Sequence, residues 1–373
     1  MRVILAGGGT AGHIHPALAI AGTIKDNIDG VEILYIGAKG GMEETLVPKA
    51  GYPFKGIEVS GFKRSFSPSS IAHNLVTVRR AVTSSMASAK IIKEFHPDLC
   101  IGTGGYVSGP VLRTAKKLGI PILIHEQNAF PGVTNKMLAR YAETVMLANP
   151  DAKKHMPQHL HFAVTGNPVR KEIITADKTA SRKKLGLDSR PVVLSFGGSL
   201  GAENINKAVA DYIARSGLDG KYQIIHAYGK FGKWFPDYLK EKGCDISRCD
   251  NLDIREFIDN MPICLAASDL VICRAGAMTV SELQVQGKPA ILIPSPNVAE
   301  NHQYHNAMSL VNANAGFVIE EKDLTPEKLT QTVDAMLKDP HKLQEYSRNA
   351  KKTAIADANE RILTIVKACI ERR

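Results

Sequence analysis

Short apolar runs rich in Val, Ile and Leu alternate along this chain with longer stretches whose apolar positions recur every third or fourth residue. The runs predict strands at Val3–Ala6, Val31–Ile36, Leu99–Ile101, Ile120–Ile124, Thr144–Leu147 and Phe162–Thr165. A second set follows at Val192–Phe196, Tyr222–Ala227, Leu252–Ile254, Leu270–Ile272, Ala290–Ile293 and Gly316–Ile319. The stretches between them predict amphipathic helices; Ile71, Leu75, Val78, Val82 and Met86, for instance, share one helical face. Such alternation is the pattern of parallel sheets covered by helices on both faces, so the fold class expected is α/β and doubly wound.

Gly166-Asn167-Pro168 interrupts the alternation, and after a charged stretch from Lys178 to Arg190 a fresh strand–glycine–helix unit opens at Pro191 to Gly201. Each half thus begins with a strand and a glycine-rich turn, and a length of 373 residues is enough for two cores. We expect domains over residues 1–166 and 167–346. The last helical stretch, 347–373, has no strand after it and is expected to pack back on the first half.

Apolar residues at 44% and charged residues at 23% fit an ordinary globular protein. No apolar run approaches the length of a membrane-spanning helix, and the apolar stretch before the first glycines is too short for a signal peptide, so a cytoplasmic setting is expected. The six cysteines form no C-x-x-C pair and read as reduced, buried thiols. His155, His159 and His161 read as a solvated turn rather than a metal site. The net charge of +10 is uneven: residues 1–168 carry 18 Lys and Arg against 11 Asp and Glu, the remainder 29 against 26. A basic first half points to an anionic partner, but no nucleic-acid motif accompanies it and aromatic residues are only 6%.

Gly7-Gly8-Gly9-Thr10-Ala11-Gly12 satisfies G-x-G-x-x-G between a strand and a helix, the pattern of a dinucleotide-binding turn. That fold needs an acid at the end of the second strand for the ribose. Here the strand ends Gly37-Ala38-Lys39, and Glu32 stands at its beginning. His13 directly after the glycines is also foreign to a dinucleotide turn. Two glycine turns in two halves suit two separate phosphate-bearing ligands, each set against backbone N–H groups and a helix N-terminus. Further polar segments follow predicted strands: Ile101 to Pro110, His125-Glu126-Gln127-Asn128, Cys273 to Glu282, and Asn301 to Asn306.

In order, GGGTAGHIHPALAI, IGTGGYVSGP, HEQNAFPGVTNKMLAR, TGNPVR, FGGSLGAENIN, EFIDNMP and RAGAMTVSE followed by ENHQYHNA resemble, over essentially the whole chain, the bacterial peptidoglycan N-acetylglucosaminyltransferases. The resemblance implies the GT-B glycosyltransferase fold: two Rossmann-like domains facing a cleft, with the C-terminal helix returning to the N-terminal domain. It implies an acceptor and membrane-associating first half and a second half that binds UDP-N-acetylglucosamine. On that pattern Glu282 holds the ribose hydroxyls, since a carboxylate can accept from both members of a diol. Ile258 reads uracil through its backbone, and Gly198, Ser199 and Arg170 meet the diphosphate. Ala277, Met278, Thr279, Val280, Ser281 and Gln303 reach the sugar and phosphates, Asn128 touches the donor sugar, and Thr10, Ala11 and Gly12 face it. Gly8, Gly9, Gly104, Gly105 and Tyr106 serve the acceptor's pyrophosphate. Two positions depart from the family pattern: Ala11 stands where Gly is frequent, and His302 where some members have a second Gln.

The reaction implied is inverting attack of the muramyl 4-hydroxyl of undecaprenyl-pyrophosphoryl-N-acetylmuramyl-pentapeptide on the sugar's anomeric carbon, a step of peptidoglycan and cell-wall synthesis. His13 is the first choice of general base because imidazole titrates near pH ~6.5; it could also simply bond phosphate or backbone at a helix start. Glu126 is the reserve base, and His125 is expected to orient it. Backbone amides and a helix N-terminus stand in for a metal, no D-x-D motif is present, and no cofactor is implied. Phe62, Lys63, Arg64 and Phe66, with Lys55, Arg79, Arg80, Lys136 and Arg140, suit an anionic membrane surface, each cation worth roughly 1 kcal/mol there. The expected location is the cytoplasmic face of the membrane, peripherally bound, with proteins of cell-wall synthesis and division as possible partners. A diacylglycerol glycosyltransferase, a UDP-sugar epimerase and a non-catalytic UDP-sugar-binding protein are the alternatives.

Overall fold

The computed structural model describes residues 1–59 and 83–371. The expected helical face at Ile71, Leu75, Val78 and Val82 lies outside the described residues, as do Phe62, Lys63, Arg64, Phe66, Arg79 and Arg80.

The chain divides into two compact units: Met1–Pro168 together with the chain from Asp357 onward, and Val169–Ala356. In the first, β1 (Arg2–Gly7), β2 (Glu32–Ala38), β3 (Phe54–Ile57), β4 (Leu99–Gly104), β5 (Ile122–Glu126), β6 (Thr144–Leu147) and β7 (Phe162–Val164) form a parallel sheet in the order β3-β2-β1-β4-β5-β6-β7. In the second, β8 (Val192–Phe196), β9 (Gln223–Ala227), β10 (Leu252–Arg255), β11 (Leu270–Cys273), β12 (Ala290–Leu292) and β13 (Gly316–Val318) are ordered β10-β9-β8-β11-β12-β13. Strand order reverses between β1 and β4 in one sheet and between β8 and β11 in the other. Ligands of doubly wound sheets bind outside the carboxyl ends of the strands at such a reversal. The turns that leave β1, β4, β8 and β11 therefore matter most, and the first three of them are glycine-rich.

The two-residue period of β1 shows why the sheet is covered twice. Val3 and Leu5 point into one core with Ile14, Ile20 and Ile24 of the helix Ala11–Asn27, while Ile4 and Ala6 point into another with Val111 and Leu112. Ile362 and Val366, four apart on the helix Ala358–Glu371, are buried in the first of these cores. The helix Pro340–Lys352 stays with the second unit, where Tyr346 and Ala350 are buried. Its Ser347 Oγ donates to Gly287 O at 2.7 Å, just where Gly287 (φ 61°) ends the helix Ala277–Gln286 in a left-handed conformation that glycine tolerates.

Twelve strands fall where the apolar runs place them. The thirteenth, β3, was not expected, because Phe-Lys-Gly-Ile is a short edge strand with no apolar run to mark it. All six cysteines are free thiols, four of them buried.

His226, in β9, is a buried polar residue that no surface pattern would reveal. It is wholly buried, lies 4.4 Å from the Phe235 ring, and sits opposite Ser195 in the sheet register. Burial pushes its imidazole down to about 3, opposed in part by the nearby backbone of Ser195. The unfolded chain takes up this proton near its ordinary 6.5, the folded chain only near 3, so the stability at stake is intact above 6.5 and is lost as pH falls. Between pH 7 and pH 5 the stability difference between wild type and His226→Phe should change by about 2 kcal/mol in favour of the variant. Urea unfolding of both proteins at the two pH values measures it; a constant difference would mean that His226 does not resist protonation.

Candidate active site

The glycine turns of the first unit are packed against polar groups of the same chain. Tyr35 O–H donates to Gly7 O at 2.9 Å. A Cβ on Gly7 would stand 2.1 Å from Thr103 Oγ1, and one on Gly8 2.0 Å from Glu43 Oε1. The second turn, after β4, runs over the first: Gly105 (φ +82°) is so close that its Cβ would lie 2.1 Å from Gly8 O. Ser108 Oγ ties the two together, 2.8 Å from Ala6 O and 2.7 Å from Gly104 O.

This packing corrects part of the expected phosphate site. Gly8 N–H donates to Gly104 O (3.3 Å), Gly9 N–H to Glu43 Oε2 (3.3 Å), and Gly104 N–H to Ser108 Oγ (3.2 Å). Those three amides are occupied within the turn pair and do not face an incoming anion. What is left is the segment Gly105-Tyr106-Val107 at the start of the helix Ser108–Lys117, with Tyr106 60% exposed.

His13 lies in the first turn of the helix that Thr10 precedes. Its Nδ1 is 3.2 Å from Gly8 O and 3.1 Å from Thr10 Oγ1. A carbonyl oxygen can only accept, so in the contact with Gly8 O it is Nδ1 that carries the proton, and Nε2 carries the lone pair. Nε2 is on the side of Gly104, where a Cβ would lie 2.9 Å from it; glycine at 104 makes room for the ring. Thr103 O–H donates to His13 O at 2.7 Å and fixes the backbone beneath it. Ala11 and Gly12 complete the turn, and Gly12 is exposed.

Glu126 and His125 part company. Glu126, at the end of β5, is buried and accepts four N–H groups: Asn128 N (3.0 Å) and Nδ2 (3.1 Å) on Oε1, Gly132 N (3.0 Å) and Asn135 Nδ2 (2.9 Å) on Oε2. That is the environment of an anchor for residues 126–135, and it corrects the expectation of Glu126 as a reserve base. His125 does not orient it either. Its Nε2 is 3.0 Å from Gly166 O and its Nδ1 3.1 Å from Gln127 Nε2, so it is held on the other side of the strand. Burial pushes its imidazole down, so it stays neutral. Asn135 Nδ2 also lies 3.5 Å from the Cβ position of Gly104, which makes the Glu126 anchor contiguous with the His13 turn.

In the second unit Gly198 (φ +96°) and Ser199 are exposed in the turn after β8. Backbone again crosses backbone: a Cβ on Gly201 would stand 2.2 Å from Tyr228 O, and one on Gly229 2.1 Å from Gly201 N. Glu282, on the helix Ala277–Gln286, has a side chain 16% exposed with Arg170 Nη2 4.0 Å away. Burial raises its carboxyl to about 7, and Arg170 acts in the opposite direction. Gln303 accepts Ser295 N–H on Oε1 at 2.9 Å, which leaves Nε2 as its donor. Ile258 and Val280 are buried in the core, and Val280 N–H is already bonded to Gly276 O at 2.9 Å, while Ala277, Met278, Thr279 and Ser281 are partly exposed.

Two site residues were missed by sequence reasoning. Glu43 opens the helix Glu43–Lys49, remote in sequence from the glycines it contacts. Glu321 pairs with Arg274 and accepts Asn204 Nδ2 at 2.6 Å, while Arg274 Nη1 donates to Ile293 O and Pro294 O, each at 3.2 Å. This group joins the segments that carry Ser199, Glu282 and Gln303. Among the described residues no three His, Cys, Asp or Glu side chains cluster as metal ligands; His155 lies tilted against Phe130, ring centroids 4.4 Å apart.

Two parallel sheets, each with a glycine-bearing turn at its reversal point, are the architecture of the GT-B fold. Residues 3–147 match the glycosyltransferase family 28 N-terminal domain and residues 192–362 its C-terminal domain. The chain is 45% identical, over 100% of its length and 99% of the other's, to the UDP-N-acetylglucosamine--N-acetylmuramyl-(pentapeptide) pyrophosphoryl-undecaprenol N-acetylglucosamine transferase of Acetivibrio thermocellus. It is 43% identical, over 100% of both chains, to the protein of that name from Bacillus cytotoxicus. Among solved structures, Acinetobacter baumannii MurG superposes with a TM-score of 0.77 at 28% identity, covering 98% of this chain and 99% of that one. The chain belongs to this family of peptidoglycan N-acetylglucosaminyltransferases.

Proposed function

We infer that this chain transfers N-acetylglucosamine from UDP-N-acetylglucosamine to the 4-hydroxyl of lipid-linked N-acetylmuramyl-pentapeptide pyrophosphate. The observation that carries the inference is 45% identity, over 100% of the chain, to a transferase named for that reaction. In the proposed step the acceptor oxygen attacks the anomeric carbon as His13 Nε2 takes its proton. The bond from that carbon to UDP breaks, its electron pair leaves with the diphosphate, and configuration inverts. The Nδ1 contact with Gly8 O supports His13 as base, because it directs the lone pair to Nε2. Arg170 and the exposed turn at Gly198 and Ser199 take up the charge of the departing diphosphate. The acceptor's pyrophosphate is assigned to Gly105, Tyr106 and Val107 at their helix N-terminus.

The acceptor is a lipid, and among the described residues no helix is long and apolar enough to cross a membrane. Peripheral contact is supported by the helix Val133–Leu138 and its flank. Val133 and Met137 are 50% and 57% exposed beside Lys136 and Arg140, a pairing that suits an anionic lipid surface.

Two measurements test these assignments. In chelator, UDP release from UDP-N-acetylglucosamine should require the lipid-linked acceptor, and His13→Ala should lower kcat by about 10²- to 10⁴-fold with donor affinity within about twofold of wild type. Release without acceptor, or full activity of His13→Ala, would contradict them. A diol donates best to an ionised carboxylate, so donor binding should draw a proton off Glu282, whose carboxyl stands at about 7. Donor affinity measured by calorimetry should therefore be about tenfold weaker at pH 6 than at pH 8, and Glu282→Gln should be weak at both. A flat wild-type profile would remove Glu282 from the ribose.

A further inference from the structure

The Gly8–Gly9 peptide group is bonded at both ends. Its N–H, that of Gly9, donates to Glu43 Oε2 at 3.3 Å, and its carbonyl, that of Gly8, lies 3.2 Å from His13 Nδ1. Glu43 is completely buried. Its Oε1 accepts Ala38 N–H at 2.9 Å, and glycines at 8, 37 and 41 leave the space that its side chain fills, since a Cβ at any of them would fall 2.0–2.6 Å from it. Among the described residues its polar partners are N–H groups and not a lysine or arginine. Thr10, Thr103 and Ser108 add neutral hydroxyls beside this turn, and Tyr35 has its phenol pushed up by burial first and by Glu43 second, and so stays protonated as the donor to Gly7 O.

We propose that Glu43 is a positioning residue for His13, acting through the Gly8–Gly9 peptide as carboxylate, peptide and imidazole in series. A peptide group aligned between an anion and an imidazole N–H is polarised along its own dipole: negative charge at the N–H end makes the carbonyl a stronger acceptor. That carbonyl holds Nδ1–H, fixes the tautomer, and stabilises the imidazolium formed when Nε2 takes the acceptor's proton. No proton passes through the peptide. The logic is that of a base oriented by a third, ionised group, with a backbone amide inserted between the two. It also explains an acid at this glycine turn in a chain that lacks the ribose-binding acid of dinucleotide folds: the carboxylate serves the turn itself.

The role in catalysis rests on His13 being the base, so wild-type turnover of the lipid acceptor is established first. Glu43→Gln keeps the size of the side chain but loses the charge and opposes an NH₂ to an N–H donor. It should lower kcat by about 10- to 100-fold with UDP-N-acetylglucosamine affinity within about twofold of wild type. In a His13→Ala background the same substitution should change kcat by less than about twofold, because the residue it acts through is gone. Equal losses in both backgrounds, or no loss in either, would overturn the proposal while leaving the transferase assignment standing. For a Glu43→Gln chain that does not fold, or a wild-type chain that does not turn over, the wild-type protein still decides. The Gly9 amide proton, followed by NMR, should titrate with the His13 ring, and a Gly9 signal indifferent to that titration would refute the relay.

Discussion

Two strands of backbone pass each other with no room for a side chain between them, and the rest of the first unit's site is arranged around that crossing. Gly105 lies against the Gly8 carbonyl so closely that a methyl group there would stand 2.1 Å from the oxygen. Contact at this range explains why both turns are glycine-rich, why the second adopts positive φ at Gly104 and Gly105, and why Gly8 N–H finds its acceptor in Gly104 O. The second unit repeats the device at Gly201 and Gly229. Glycine in these turns thus answers first to the chain's own packing and only then to a ligand.

That priority separates the two glycine turns of the first unit. The turn after β1 is filled from within by Glu43, Tyr35 and Thr103, and its polar capacity goes into holding His13. The turn after β4 is braced by Ser108 and presents the start of a helix. On the proposed mechanism one turn thus organises the base and the other is left for the acceptor's anion, although in sequence the two look alike. In the second unit Ser199 is exposed, while Glu282 is shielded enough that burial raises its carboxyl.

Most of the fold was legible because parallel strands buried on both faces leave unmistakable apolar runs. The edge strand β3 escaped for want of such a run. Within the candidate site, the motifs offer His13, Glu282 and Gln303 as candidates, yet their surroundings could not be read. Nothing in the sequence says that Glu126 is saturated by Asn128, Gly132 and Asn135, or that His125 turns away to Gly166. Nor does it say that Glu43, thirty-four residues from Gly9, supplies the acceptor for its amide. Hydrogen-bond saturation is a property of three-dimensional neighbourhood, and a motif shows only which residues are available to it.

The division of labour between the two turns is tested most directly by mapping where a pyrophosphate binds. In the isotope-labelled protein, titration with a short-chain pyrophosphoryl muramyl-peptide should move the amide signals of Gly105, Tyr106 and Val107 and leave those of Gly8 and Gly9 in place. Saturable shifts at Gly8 and Gly9, with Gly105 to Val107 unmoved, would contradict the assignment and return the anion to the first turn.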